Sequence, residues 1–163
     1  GSSPTLFRYI GWLVTVPLLT IQFYFILSAV KKVSAGIFWR LLFGALVMLI
    51  GRYLGEASYI NITVGFVIGM VGWIYVLYEI FSGEAAQEAS KSKGAVADCF
   101  NFCKWIVVLG WCIYPLGYLF GYVINGTDEA TLNQLYNFAD FINKILFGLV
   151  IYSTAKSLTT LRD

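Results

Sequence analysis

Asp140 and Lys144 stand four residues apart in YNFADFINKILFGLVIYSTA, a stretch that is otherwise apolar enough to cross a bilayer. Residues four apart on a helix lie one turn above each other on a single face. Ionisable groups inside a membrane span are expensive and mark function by default; the competing reading is an ion pair that only fixes helix packing. A lysine amine in apolar surroundings can act as a nucleophile towards aldehydes. The cationic imine so formed needs a carboxylate beside it, and Asp140 has the spacing to serve.

A second stretch, GWCIYPLGYLFGY, places Trp111, Tyr114 and Tyr118 on one stripe around Pro115, which is expected to kink its helix. Trp12 and Trp73, on other apolar segments, could complete a sandwich for a long flat molecule. Such a stripe is more often plain packing, so alone it remains suggestive.

These residues need long helices to position them. Of 163 residues, 59% are hydrophobic and 12% charged, with mean hydropathy +0.76. That charge fraction is about half of what a soluble domain carries. Segments of about 20 apolar residues fall near 6–29, 37–57, 62–82, 99–123 and 133–155. The chain reads as one all-α transmembrane domain over 1–163, since β-barrel strands would alternate over about ten residues. Lys31, Lys32, Lys91, Lys93, Lys156 and Arg162 fall in loops or ends of one side, while Glu56, Asp128 and Glu129 face Arg8 and Arg52 on the other. The positive-inside rule makes the 30–36 and 83–98 loops and the C-terminus cytoplasmic and the N-terminus external. Residues 83–97, GEAAQEASKSKGAVA, read as a mobile loop. Arg52 and Glu56 read as an interfacial pair, and Glu79 as a helix-end carboxylate facing solvent.

Cys99, Cys103 and Cys112 accompany no histidine. Two thiols four apart without a third ligand make a poor metal site, so no metal is expected and the thiols read as small hydrophobes. The Asn61-Ile-Thr and Asn125-Gly-Thr sequons read as chance matches.

The segment FRYIGWLVTVP carries Arg8, Tyr9, Trp12, Thr15 and Pro17 in the RY-x-x-W-x-x-T-x-P pattern of helix C in the microbial rhodopsins. GWCIYPLGY and YNFADFINKILFGL resemble their helices F and G, and the segments around GEA at 55–57 and WIYVLYEI resemble helices D and E. The chain thus resembles the proteorhodopsin-like microbial rhodopsins along essentially its whole length. That resemblance implies a seven-helix bundle type with five helices, C to G, in this chain, and a pocket open where A and B would pack. It implies all-trans retinal joined to Lys144 as a Schiff base, with Asp140 as counterion. It puts Trp12, Thr15, Trp111, Tyr114, Pro115 and Tyr118 around the chromophore, with Met48 and Trp73 at its ring end. Leu19 falls at the green-versus-blue tuning position, where leucine suggests the green type, and Arg8 takes the place of the extracellular-side arginine. A plasma-membrane location, a bilayer environment and a pentameric or hexameric assembly are implied as well; no enzyme activity and no nucleic-acid partner are.

The departures carry the functional reading. Proton-pumping relatives have an aspartate acceptor, a threonine and a carboxylate donor where this sequence has Gly11, Thr15 and Gln22. Gly11 also sits mid-helix, at a cost of about 1 kcal/mol against alanine. An outward pump needs an acceptor and a donor on opposite sides of the Schiff base, and neither Gly11 nor Gln22 titrates. The expectation is a non-pumping or photosensory retinal protein, similar to the flotillin-associated rhodopsin subgroup, with a signalling or membrane-scaffold partner. The alternative is a light-driven ion transporter, moving protons through relocated carboxylates or an anion such as chloride.

Overall fold

The computed structural model describes residues 5–124 and 126–160, and every regular element among them is helical. They are α1 (Thr5–Ser28), α2 (Ala35–Glu56), α3 (Ile62–Phe81), α4 (Glu84–Ser90), α5 (Ala95–Trp105), α6 (Ile113–Tyr118) and α7 (Glu129–Thr160). Two π-helical turns, Ile106–Gly110 and Leu119–Val123, follow α5 and α6. Five helical segments are long and apolar enough to cross a membrane, as the hydropathy pattern predicts. Asn125 and Arg162 lie outside the described residues.

Polar side chains fix where helices start. Asn61 Oδ1 accepts from the Thr63 and Val64 amides at 2.9 and 3.3 Å, so the first sequon asparagine is an N-cap. Asp128 accepts from the Thr131 amide at 2.9 Å and its hydroxyl at 2.6 Å. That cap begins α7 at Glu129, four residues ahead of the apolar run.

Glycines set how closely α2 and α3 pack. A methyl group on Gly65 would sit 2.6 Å from the Gly55 Cα, and one on Gly72 would sit 2.7 Å from the Met48 Cα. The two backbones therefore touch along Gly44–Gly72, Gly51–Gly69 and Gly55–Gly65, as small residues allow between helices in lipid. The aromatic core lies on the other side of the bundle, where Phe23 meets Phe100 and Phe147 edge-on at 5.1 and 5.8 Å.

Three expectations are corrected here. The 83–97 connection contains α4, which is tied down: Lys31 Nζ reaches Glu88 at 2.8 Å, and Arg40 Nη2 donates to Glu84 at 2.5 Å. Glu79 is only 2% exposed and accepts from Arg40 Nε at 3.1 Å and from the Ala85 amide at 3.0 Å; it anchors α4 and does not face solvent. Arg52 is 6% exposed and forms no pair with Glu56, whose carboxylate is taken by Arg8. Pro115 lies within α6, and a π turn flanks that helix on either side.

Candidate chromophore site

The amine and carboxylate picked out by spacing do meet. Lys144 Nζ donates to Asp140 Oδ2 at 2.9 Å on α7. The same oxygen accepts from Trp12 Nε1 of α1 at 2.8 Å, and Oδ1 accepts from the Tyr114 hydroxyl of α6 at 2.6 Å. Three donors from three helices thus hold one carboxylate against one amine. Charge-assisted hydrogen bonds of this kind are the strong ones. Trp12 is held in turn by edge contacts with Tyr9, Tyr114 and Tyr136, ring centres 5.2 to 5.5 Å apart.

An apolar slot runs from this cluster towards α2 and α3. Trp12, Leu19, Met48, Trp73, Trp111, Tyr114 and Pro115 line it together with Asp140 and Lys144. Two of the predicted residues fall elsewhere. Tyr118 stacks on Phe66 at 5.6 Å and donates to the Ile62 carbonyl at 3.2 Å; its side chain is spent on α3. Thr15 Oγ1 donates to the Gly11 carbonyl at 3.0 Å within its own helix. Gln22 lines neither this slot nor the groove beside Gly11. The single helical face that the α1 period suggests is therefore divided between two spaces.

Beside the slot lies the second space, an open groove bordered by Gly11, Arg8, Asn133, Asn137, Asp140 and Lys144. Gly11 is exposed, and among the described residues a methyl group built on it would meet nothing within 4 Å. Below Trp12, Arg8 donates to Glu56 and Asn133, and its guanidinium lies 5.5 Å from the Trp12 ring. Glu56 also accepts from Tyr9 at 2.9 Å and Tyr122 at 2.7 Å. Arg8 thus lies beside Trp12, with Glu56 as its buried partner.

Four slot residues were missed from sequence: Val16, Leu49, Arg52 and Asn143. Asn143 Nδ2 donates at 3.0 Å to the carbonyl of Gly110, at the end of the first π turn. Its neighbour Lys144 drew attention because it is charged, whereas a lone amide gives no periodic signal. Arg52 was hidden because a glutamate four residues on offered it an obvious partner.

The bacteriorhodopsin-like protein family model matches residues 1–158. The chain belongs to that family. It is 46% identical over 156 residues to a green-light absorbing proteorhodopsin of Gamma-proteobacterium EBAC31A08, covering 95% of this chain and 63% of that relative. It is 47% identical over 157 residues to a blue-light absorbing proteorhodopsin of Gamma-proteobacterium Hot 75m4, covering 95% and 62%. The chain therefore spans somewhat under two thirds of the length of these relatives. The solved structure of a blue light-absorbing proteorhodopsin from Med12 superposes with a TM-score of 0.79 at 46% identity, covering 96% of this chain and 70% of that one. The fold is that of the rhodopsin helix bundle, and the family implies a retinal chromophore bound through a Schiff base. The donor set fits that group at its aldehyde end: a lysine amine, a carboxylate held by three donors, and aromatic walls. Along the whole slot the free space is only about 40 Å³, with Arg52 in the wall.

Proposed function

We propose that this protein is a retinal-binding, light-absorbing membrane photoprotein whose light signal is not spent on ordinary outward proton pumping. Lys144 is the attachment point and Asp140 its counterion. When bound, retinal supplies visible absorption and a light-driven change of shape. Trp12 and Tyr114 orient the Asp140 carboxylate, and that orientation keeps a cationic nitrogen on Lys144 stabilised in a low-dielectric setting. Trp111, Pro115 and Leu19 restrict the slot and keep water from the polyene path.

The observation that carries the non-pumping reading is at Gly11. Among the described residues Asp140 is the carboxylate that touches Lys144, and Gly11 brings no second one. Asp140 already accepts three hydrogen bonds. A proton arriving there would weaken all three and remove the counterion at once. Glu56 is engaged by Arg8 and two tyrosines on the other side of Trp12. A photosensory role with a membrane-embedded signalling or scaffold partner follows, in a plasma membrane with the C-terminus cytoplasmic, in a pentamer or hexamer.

One observation favours a second reading, anion transport. The groove beside Gly11 is bordered by Arg8, Asn133 and Asn137, which offer N–H donors to an anion near Lys144. Illumination of cells expressing the full-length protein separates the readings. We expect no change in external pH. A change abolished by protonophore would reject the non-pumping reading in favour of proton transport; one enhanced by protonophore and lost when sulfate replaces chloride would establish anion uptake.

A further inference from the structure

The slot contains a cation that the proposed chemistry does not use. Arg52 enters from α2, while Lys144 enters from α7, which packs on α5 and α6. A molecule joined to Lys144 and running along the slot therefore meets the α2–α3 wall, where Met48, Arg52 and Trp73 stand. Arg52 is 6% exposed, and among the described residues the Glu56 carboxylate acts on its guanidinium from beyond 4.0 Å with no ion-pair contact. Nη2 donates to the Tyr114 carbonyl at 3.1 Å, the Tyr136 hydroxyl lies against the group, and the rings of Tyr118 and Trp12 lie 5.2 and 5.6 Å from its carbon. Nε is buried with no acceptor. Trp73 of α3 also lines the slot, and its Nε1 is likewise buried with no acceptor.

The protein makes room for this arginine. A side-chain carbon on Gly69 would collide with the Arg52 stem, reaching Cγ and lying 3.1 Å from Cδ. Glycine at 69 leaves a groove in α3 that holds the stem along the wall. Burying a polar donor without a partner costs free energy, and burying a charged one costs more. Two such donors in the wall of one ligand slot match a missing acceptor.

We propose, resting on the retinal reading above, that Arg52 and Trp73 form a polar subsite for an oxygen on the ring end of the chromophore. The preferred ligand is then a retinal oxidised on its ring, carrying a ketone or hydroxyl, in place of the plain hydrocarbon ring. A carbonyl or hydroxyl oxygen accepts from Nε and Nε1 and meets the guanidinium charge; a hydrocarbon ring leaves both donors unsatisfied. The slot as a whole leaves only about 40 Å³ free, so a ligand that fills it presses on its walls, with Arg52 and Trp73 among them.

The test titrates the full-length apoprotein in lipid membranes with all-trans retinal, all-trans 4-oxoretinal and all-trans 3-hydroxyretinal. Half-saturation of the visible band is read for each, and borohydride trapping with mass analysis reports the adduct on Lys144. We expect half-saturation at least about tenfold lower for an oxygenated retinal, as hydrogen bonds to charged donors warrant, and loss of that preference in Arg52→Met. Trp73→Phe should reduce it part-way. Equal half-saturation for all three aldehydes, with the Lys144 adduct formed by each, overturns the subsite and leaves the retinal reading standing. A preference that survives Arg52→Met overturns it too. Absence of a Lys144 adduct with any aldehyde removes the retinal reading and this inference with it.

Discussion

At the scale of single residues, the site is one carboxylate serving one amine. Replacing Asp140 by asparagine keeps an acceptor for Trp12 and Tyr114 but removes the charge beside Lys144. We expect retinal-loaded Asp140→Asn membranes to lose most of their visible band at neutral pH while the Lys144 adduct still forms; an unchanged band in an absorption spectrum would show that another group is the counterion. Lys144→Ala should abolish both band and adduct. This part of the site was legible, because two charges at a four-residue spacing inside an apolar run have few readings. Arg52 was not. Its spacing to Glu56 matched an ordinary surface pair, and only the fold shows that Arg8, 48 residues before Glu56 in sequence, takes that carboxylate. Tyr118 went astray for the opposite reason: it shares a helical stripe with Trp111 and Tyr114, but its ring stacks on Phe66 and its hydroxyl donates to the Ile62 carbonyl, contacts that no stripe discloses.

At the scale of elements, the five long helices follow from apolar runs that no other structure could satisfy in lipid, so hydropathy located each within a few residues. What hydropathy does not encode is how far apart they sit. The α2–α3 contact depends on glycines that read in sequence as mere interruptions. Gly65→Leu should separate the two helices and cost about 2 kcal/mol, the typical price of overpacking, read as a lower unfolding midpoint in membranes; an equal midpoint would mean that the seam yields. The start of α7 carries a pH dependence. Hydrogen bonds from the Thr131 hydroxyl and amide hold the Asp128 carboxyl below its usual range. A group with a depressed folded pKa stabilises above its unfolded value, near 4, and that stabilisation is lost as pH falls through the folded value. Wild type should therefore be more stable than Asp128→Ala at pH 7, with the two converging below pH 4. Parallel thermal-unfolding profiles across that range would assign the cap no charge-linked role. The helical α4 went unread because seven small and polar residues have no apolar period; buried Glu79 and Arg40 hold it from outside.

At the scale of the whole molecule, the question is whether absorbed light moves an ion, and the two altered positions of α1 make it answerable by gain of function. Gly11 borders the groove beside Asp140 and Lys144, and nothing lies within 4 Å of a carbon added there. Aspartate at 11 meets no neighbour among the described residues and places a second carboxylate where Asp140 now acts alone. Glutamate at 22 adds a titratable group on the same helix, three turns further along. If vectorial proton transfer is absent only because acceptor and donor are absent, Gly11→Asp with Gln22→Glu should acidify the medium on illumination while wild type does not. Gly11→Asp alone should give a weaker signal, since reprotonation of the Lys144 nitrogen would depend on water instead of a positioned donor, a loss of order 10²-fold or more in that step. The measurement is external pH in illuminated cells, with protonophore abolishing the signal. A silent double variant that still forms its visible band would place the block elsewhere, and the first candidate is Arg52. A fixed cation in the slot opposes positive charge moving along the chromophore towards it. Adding Arg52→Met to the double variant then decides between them: recovered acidification assigns the block to the guanidinium, and continued silence assigns it to the open path between Gly11 and the Arg8–Glu56 pair.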